Sequence, residues 1–101
     1  LMYVGTWTYA SNAVQAAMEA GVPVVIWGDA EPGTCGLVGS AIARGGMAEF
    51  GIHATLVYGP FADKRTQSRC RLLLESACAA PALRGAKLGL GGGTCLGGLP
   101  R

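Results

Sequence analysis

The run Thr6-Trp7-Thr8-Tyr9 places two aromatic side chains between a strand-like apolar segment and a helix-like segment. An indole offers a large flat apolar surface and one N–H donor, which suits the C–H face of a sugar with its hydroxyl groups at the edge. Trp7 is therefore the first candidate for contact with such a ligand, and Tyr9 is the second. Either side chain could instead cover the end of a sheet as a packing residue.

Two carboxylates, Asp29 and Glu31, follow the second apolar run and could act as acid and base if they faced each other. Because Pro32 and Gly33 come next, the same acids also fit a solvated turn. His53 precedes a predicted strand and is expected to be a packing or surface residue. No arrangement of serine, cysteine and histidine indicates a nucleophile, so the residues alone identify no catalytic centre.

The four cysteines show no CxxC pairing, and with a single histidine they lack the spacing of a zinc site. We therefore expect free thiols in a reducing compartment. Cys70 and Cys78 fall on a helical face that also carries leucines, which predicts small core residues.

A glycine-rich segment at residues 89–98, GLGGGTCLGG, invites a phosphate-binding interpretation, because small residues let backbone N–H groups approach an anion. Gly91, Gly93 and Gly97 fit GxGxxxG, whereas the dinucleotide pattern GxGxxG and the pattern GxxxxGK[ST] are both absent. A glycine-rich turn after a strand is therefore the alternative interpretation.

The charge is distributed unevenly along the 101 residues: residues 1–62 carry a net charge of −3 and residues 63–101 carry +5. The basic run DKRTQSRCR lacks interleaved aromatic residues and any nucleic-acid motif, so it is interpreted as a solvated helix face without a nucleic-acid partner. No apolar run reaches the roughly 18 to 20 residues of a membrane span. A cytoplasmic protein without a membrane partner is the expectation.

Short apolar runs alternate with helical periodicity along the chain. Strands are predicted at residues 1–4, 22–27, 53–58 and 86–90. Three segments with helical periodicity lie between these strands: Val14, Ala17 and Met18; residues 37–50; and Cys70, Leu73, Leu74, Ala77 and Cys78. Helix ends are predicted at Gly21, Gly51 and Gly85. This order predicts an α/β fold with a Rossmann-like parallel sheet and right-handed βαβ crossovers, as an incomplete domain.

A parallel sheet binds its ligands outside the carboxyl ends of the strands. The loops predicted at that edge are residues 5–9, 28–33, 59–63 and 91–98, which bring Trp7, Asp29, Glu31 and Asp63 to one side of the sheet. Trp27 ends a buried strand and is predicted to be a packing residue.

Four segments in this order, TWTY, VPVVIWG with EPGTCGLVG, FGIHATLVYGP, and LRGAKLGLGGGTCLGG, resemble the N-terminal region of the L-fucose isomerase and L-arabinose isomerase family. The resemblance covers essentially the whole chain. It implies that residues 1–85 are the C-terminal half of a Rossmann-like first domain, and that residues 86–101 are the first strand and glycine-rich loop of a second α/β domain. The family's loop is of the Ser-Met-Gly type, whereas this chain has Thr94-Cys95-Leu96-Gly97.

The resemblance further implies an aldose–ketose isomerase that uses a divalent metal, usually manganese, and works as an oligomer whose sites are shared between subunits. The Glu, Asp and His ligands of Mn²⁺ belong to later segments of that family, so this chain is expected to bind no metal itself. Trp7 matches a family tryptophan that contacts sugar from a neighbouring subunit, and Tyr9 is the second substrate-binding candidate. Two other functions stay open: a nucleotide- or phosphate-binding α/β module, and a non-catalytic sugar-binding domain.

Overall fold

The computed structural model describes residues 1–87 and Gly89. Three strands alternate with three helices along this part of the chain. The strands are β1 (Met2–Val4), β2 (Val24–Gly28) and β3 (Ala54–Tyr58); the helices are α1 (Ala10–Ala20), α2 (Gly36–Glu49) and α3 (Lys64–Ala82). The predicted strands at 1–4, 22–27 and 53–58 and the predicted helix at 37–50 are present with bounds that differ by one or two residues, and helices are present at the other two predicted stripes.

The three strands form one parallel sheet in the order β1-β2-β3. Met2 pairs with Ile26, and Ile26 pairs in turn with Leu56. All five residues of the central strand β2 are buried, because helices cover both of its faces. The continuous β-branched run is typical of such a strand, and the prediction of an α/β fold with a parallel sheet is confirmed.

Helices α1 and α2 cover one face of the sheet and pack against each other. Val14 from α1 and Met47 from α2 share a core with Ile26 of β2. Met18 was expected in this core but is exposed. It lines an outer groove between α1 and α2 with Phe50, so that part of the predicted stripe is wrong.

Helix α3 covers the opposite face. Its Cys70 is buried against Val25, Trp27 and Val57. Leu73, Leu74 and Ala77 extend the contact, which confirms most of the predicted stripe, but Cys78 is exposed. The physical reason is length: the 19-residue helix is about 28 Å long, whereas a five-residue strand spans about 17 Å, so the last turns of α3 pass the end of the sheet.

A left-handed glycine follows each helix, although α3 ends at Ala82, three residues before the predicted Gly85. Gly21 has φ 60° and its N–H bonds to the Ala17 carbonyl, while Gly51 follows α2 with φ 70°. Gly85 has φ 80° in the turn after α3. These left-handed conformations carry little cost for glycine and turn the chain towards the next segment.

The predicted strand at 86–90 and the glycine-rich loop at 91–98 lie outside the described residues, except Ala86, Lys87 and Gly89, which have no regular secondary structure. The division into residues 1–85 and 86–101 therefore stays a prediction. Within the described residues, no helix combines the length and hydropathy needed to cross a membrane.

Two adjacent glycines in α2 give a stability test. A Cβ added at Gly45 meets nothing within 4 Å, so Gly45→Ala should stabilise the fold by up to about 1 kcal/mol through helix propensity. A Cβ added at Gly46 would lie 2.8 Å from the Cβ of Ala10 and 3.3 Å from Val14 Cγ2. Gly46→Ala should therefore destabilise the fold by about 1 to 3 kcal/mol through overpacking between α1 and α2.

Urea unfolding of the two variants beside the wild type measures both effects. Equal stabilisation by the two substitutions would show that α1 and α2 do not pack closely at Gly46.

Candidate functional site

The three strands end at one edge of the sheet, and we call the loops that follow them the rim: residues 5–9, 29–35 and 59–63. Because the strands are parallel, Trp7, Asp29 and Asp63 all lie at this edge, as predicted. The carboxyl edge is where open α/β sheets bind their ligands. The rim is therefore the candidate site within the described residues.

Trp7 and Tyr9 form an exposed aromatic corner of the rim. Their ring centroids are 4.4 Å apart and the ring planes meet at 77°, an edge-to-face pair. Trp7 retains 44% and Tyr9 63% of its accessible surface. The edge-to-face contact fixes the two rings relative to each other and leaves apolar ring surface open to a ligand.

The aromatic corner stands at one end of a groove along β1 and α1. The groove has a volume of about 320 Å³, which is at the lower end of the range of about 300 to 1,000 Å³ for small-molecule sites. Trp7, Thr8 and Asn12 line it, together with backbone and apolar side chains of β1. Sequence reasoning missed Asn12; its position in the first turn of the helix that follows the Trp7 loop is the signal that could have identified it.

Asp29 directly follows β2 and is buried, with 6% of its surface exposed. Its Oδ2 accepts a 2.7 Å hydrogen bond from the Tyr3 hydroxyl, and its Oδ1 accepts one of 3.2 Å from the backbone N–H of Glu31. The solvated-turn interpretation is therefore wrong for Asp29, because the Tyr3 phenol replaces water, whereas Glu31 is exposed. The two acids meet through the Glu31 backbone and do not form a carboxylate pair.

Tyr3 was not singled out from the sequence. It pairs with Trp27 in the sheet, and strand alternation in Met2-Tyr3-Val4 places it on the face opposite Val4, which is the signal that could have found it. The hydrogen bond to Asp29, then burial and the charges of Asp29 and Glu31, raise the pKa of the Tyr3 phenol above its ordinary value of 10.0. The Tyr3 phenol therefore stays protonated to a higher pH than an ordinary tyrosine and continues to donate its hydrogen bond to Asp29.

An aromatic cluster joins the strand ends behind the rim. Trp27 stacks on Phe61 at a centroid distance of 5.3 Å, and Tyr3 meets both rings edge to face. The Trp27 indole N–H donates a 2.9 Å hydrogen bond to the Gly59 carbonyl, and the side chain is buried. The prediction that Trp27 is a packing residue is confirmed, and its bond holds the loop after β3 against β2.

Asp63 caps helix α3. Its carboxylate accepts hydrogen bonds from the side chain and backbone N–H of Thr66 and from the backbone N–H of Arg65. These bonds, those of Thr66 first, lower the pKa of the Asp63 carboxyl below 3.8. This carboxylate is committed to the helix terminus.

The remaining candidate residues lie apart from one another. His53 is exposed at the edge opposite the rim, as predicted, beside a cavity of about 700 Å³ whose lining is mostly apolar. Burial raises the pKa of the Cys70 thiol above 9.0, whereas Cys35 is exposed at the start of α2.

Within residues 1–87, no group of three or more His, Cys, Asp or Glu side chains could hold a metal ion. The described residues therefore do not fit a metal centre, and we derive no step through one.

Comparison of the chain with protein-family models, curated proteins and solved structures finds no match. The family resemblance of the sequence stays a prediction.

The Tyr3–Asp29 bond predicts a stability difference at alkaline pH. The pKa of Tyr3 is raised in the folded state. The contribution of Tyr3 to the free energy of unfolding is therefore fully present below pH 10.0 and is lost as the pH rises through the folded-state pKa. Tyr3→Phe should be less stable than the wild type at neutral pH, because the buried Asp29 carboxylate loses a hydrogen-bond donor. Thermal melts of both proteins should converge above pH 10. A difference that persists unchanged into strong alkali would exclude ionisation of Tyr3 as its source.

Proposed function

We propose that this chain is part of a metal-dependent aldose–ketose isomerase of the L-fucose and L-arabinose type, and that it supplies sugar contacts but not the metal centre. The observation that carries the proposal is the aromatic corner: Trp7 is held at the carboxyl end of β1 by an edge contact with Tyr9, and its surface is open. A tryptophan that only completed a core would be buried, as Trp27 is.

The corner has the surfaces that a sugar requires. The indole face packs against C–H groups, and the neighbouring groove offers the Asn12 amide and Thr8 hydroxyl to the sugar hydroxyl groups. Such a site binds an uncharged polyol by shape and hydrogen bonds. The described rim presents no basic side chain, which favours a neutral sugar over a phosphate or nucleotide.

Of the rim acids, Asp29 and Asp63 are assigned to structure and not to proton transfer, and the exposed Glu31 lacks the facing acid that a proton-transfer pair requires. Asp29 is bonded to Tyr3, and Asp63 caps α3. An isomerase needs carboxylates that move a proton between neighbouring carbons, and a divalent metal such as Mn²⁺ supplies charge stabilisation at the substrate oxygens. We therefore place the proton-transferring acids and the metal ligands in other segments of the polypeptide.

The proposal includes a site shared between subunits of a homo-oligomer. The aromatic corner lies on the outer side of the edge strand of the described sheet, at the end of the β1 groove. A ligand on the outer face of Trp7 can be reached from a neighbouring molecule without moving the sheet. One subunit would then supply the aromatic surface and its neighbour the metal centre.

The proposed function predicts that the 101-residue chain alone converts no aldose to ketose, with or without manganese, because the proton-transferring acids and the metal ligands lie in other segments. A ketose assay over L-fucose, L-arabinose and other aldoses tests this. Metal-dependent ketose formation by the pure chain would place the chemistry inside it.

The second prediction concerns Trp7→Ala in the complete enzyme. Loss of the indole should cost about 2 kcal/mol of sugar binding, close to a 30-fold rise in KM, with kcat less affected and metal affinity unchanged. Phe50→Ala is the matched control, since Phe50 is an aromatic residue with 65% exposure at the opposite edge of the sheet. It should leave KM unchanged.

Mixed oligomers test the shared site. Subunits carrying Trp7→Ala are combined with subunits disabled at the metal centre, so that some sites join an intact Trp7 to an intact metal centre. Part of the activity should return. Activity no higher than that of the separate mutants would place Trp7 in its own subunit's site or outside any site.

Two other outcomes would favour the alternative functions. Saturable NAD or ATP binding by the chain would favour a nucleotide-binding module, and sugar binding by a complete polypeptide without isomerase activity would favour a non-catalytic sugar-binding domain.

A further inference from the structure

Helix α2 begins with two glycines, Gly36 and Gly39, that lie one turn apart against the rim. A Cβ added at Gly36 would clash with the backbone carbonyl oxygen of Asp29 and lie 2.9 Å from its backbone nitrogen. A Cβ added at Gly39 would clash with the carbonyl oxygen of Thr6 and lie 3.0 Å from Val4 Cγ1. The first turn of α2 therefore contacts the backbone of two rim loops with no side chain between them.

Thr6 immediately precedes Trp7, so the contact with Gly39 acts on the peptide unit next to the candidate sugar-binding residue. Within the described part of the chain, residues 5–8 form no backbone hydrogen bond with the rest of the fold. The position of this short loop consequently depends on packing. Gly39 supplies the backbone surface on which the Thr6 carbonyl rests.

We infer that Gly39 is a positioning residue for Trp7: its missing side chain lets α2 hold the Thr6 carbonyl where the indole projects outward from the rim. The contact is independent of what Trp7 binds, whereas its effect on sugar affinity rests on the proposed function. Gly39→Ala introduces a methyl group that the Thr6 backbone must avoid, and this moves Trp7 relative to the groove.

A purely structural role for Gly39 makes a different prediction. If the glycine only allowed α2 to pack on the sheet, Gly39→Ala would lower stability and leave the surroundings of the Trp7 ring unchanged in the molecules that fold. The two tryptophans separate these outcomes. Trp27 is buried with its N–H bonded to Gly59 and reports the fold, whereas the exposed Trp7 reports the loop.

The experiment records the two indole ¹H–¹⁵N resonances of the 101-residue chain, assigned with Trp7→Phe, in the wild type, Gly39→Ala and Gly45→Ala. Gly45 lies in the same helix with open space at its Cβ position and is the matched control. Gly39→Ala should shift the Trp7 resonance and leave that of Trp27 in place, and Gly45→Ala should move neither. An unmoved Trp7 resonance in folded Gly39→Ala overturns the inference.

If Gly39→Ala does not fold, the contact between Gly39 and Thr6 can still be tested in the wild-type chain. Nuclear Overhauser effects from the Gly39 α protons to Thr6 and to the Val4 methyl groups support the contact, and their absence overturns it.

In the complete enzyme, Gly39→Ala should raise KM for the sugar with little change in kcat. A shifted Trp7 resonance without any effect of Gly39→Ala or Trp7→Ala on KM would refute the proposed function and leave the positioning role intact. An unshifted resonance, with KM raised by Trp7→Ala alone, would refute the positioning role and leave the proposed function intact.

Discussion

The arrangement of the rim depends on one constraint, the direct approach of helix α2 to the carboxyl ends of β1 and β2. A Cβ at Gly28 would clash with the Ser40 side chain, and Cβ atoms at Gly36 and Gly39 would clash with the backbone of the rim loops. Ser40 is fully buried, and its hydroxyl donates a hydrogen bond to the Leu37 carbonyl, so the close contact does not leave the Ser40 hydroxyl unpaired. Small residues at this junction let the helix and both strand ends act as one rigid support.

On that support the rim separates two kinds of side chain. The buried Asp29 is bonded to the Tyr3 phenol, and the exposed Asp63 is bonded to the first turn of α3, so both carboxylates already have hydrogen-bond partners, whereas Glu31 is exposed. The aromatic pair Trp7 and Tyr9 faces outward. Carboxylates that are already bonded make poor proton carriers, whereas an exposed indole retains its full capacity to stack. This division is the physical reason for assigning the chain to substrate contact and the proton transfer to other segments.

The sheet, its parallel direction and the rim follow from the sequence, because the apolar run at residues 22–27, buried from Val24 onward, and the stripe from Cys70 to Ala77 mark the segments that pack in the core. Cys78 extends the α3 stripe correctly in angle, yet periodicity carries no information about where the sheet ends, and Met18 is exposed although it continues the α1 stripe. The burial of Asp29 depends on Tyr3, a residue 26 positions away, and no local pattern reveals such a partner. The approach of Gly39 to Thr6 is likewise a tertiary contact, since a glycine within a helix predicts only lower helix propensity.

The central claim, that the outward face of Trp7 is a sugar-binding surface, is tested most directly by titrating L-fucose and L-arabinose into the ¹⁵N-labelled chain and following both indole resonances. Binding should be weak, because under the proposed function the chain supplies only part of the site. We expect either sugar to cause a saturable shift of the Trp7 resonance while the Trp27 resonance stays in place. A non-sugar polyether of similar size should cause no such shift. A Trp7 resonance that does not move up to the solubility limit of either sugar would contradict the account.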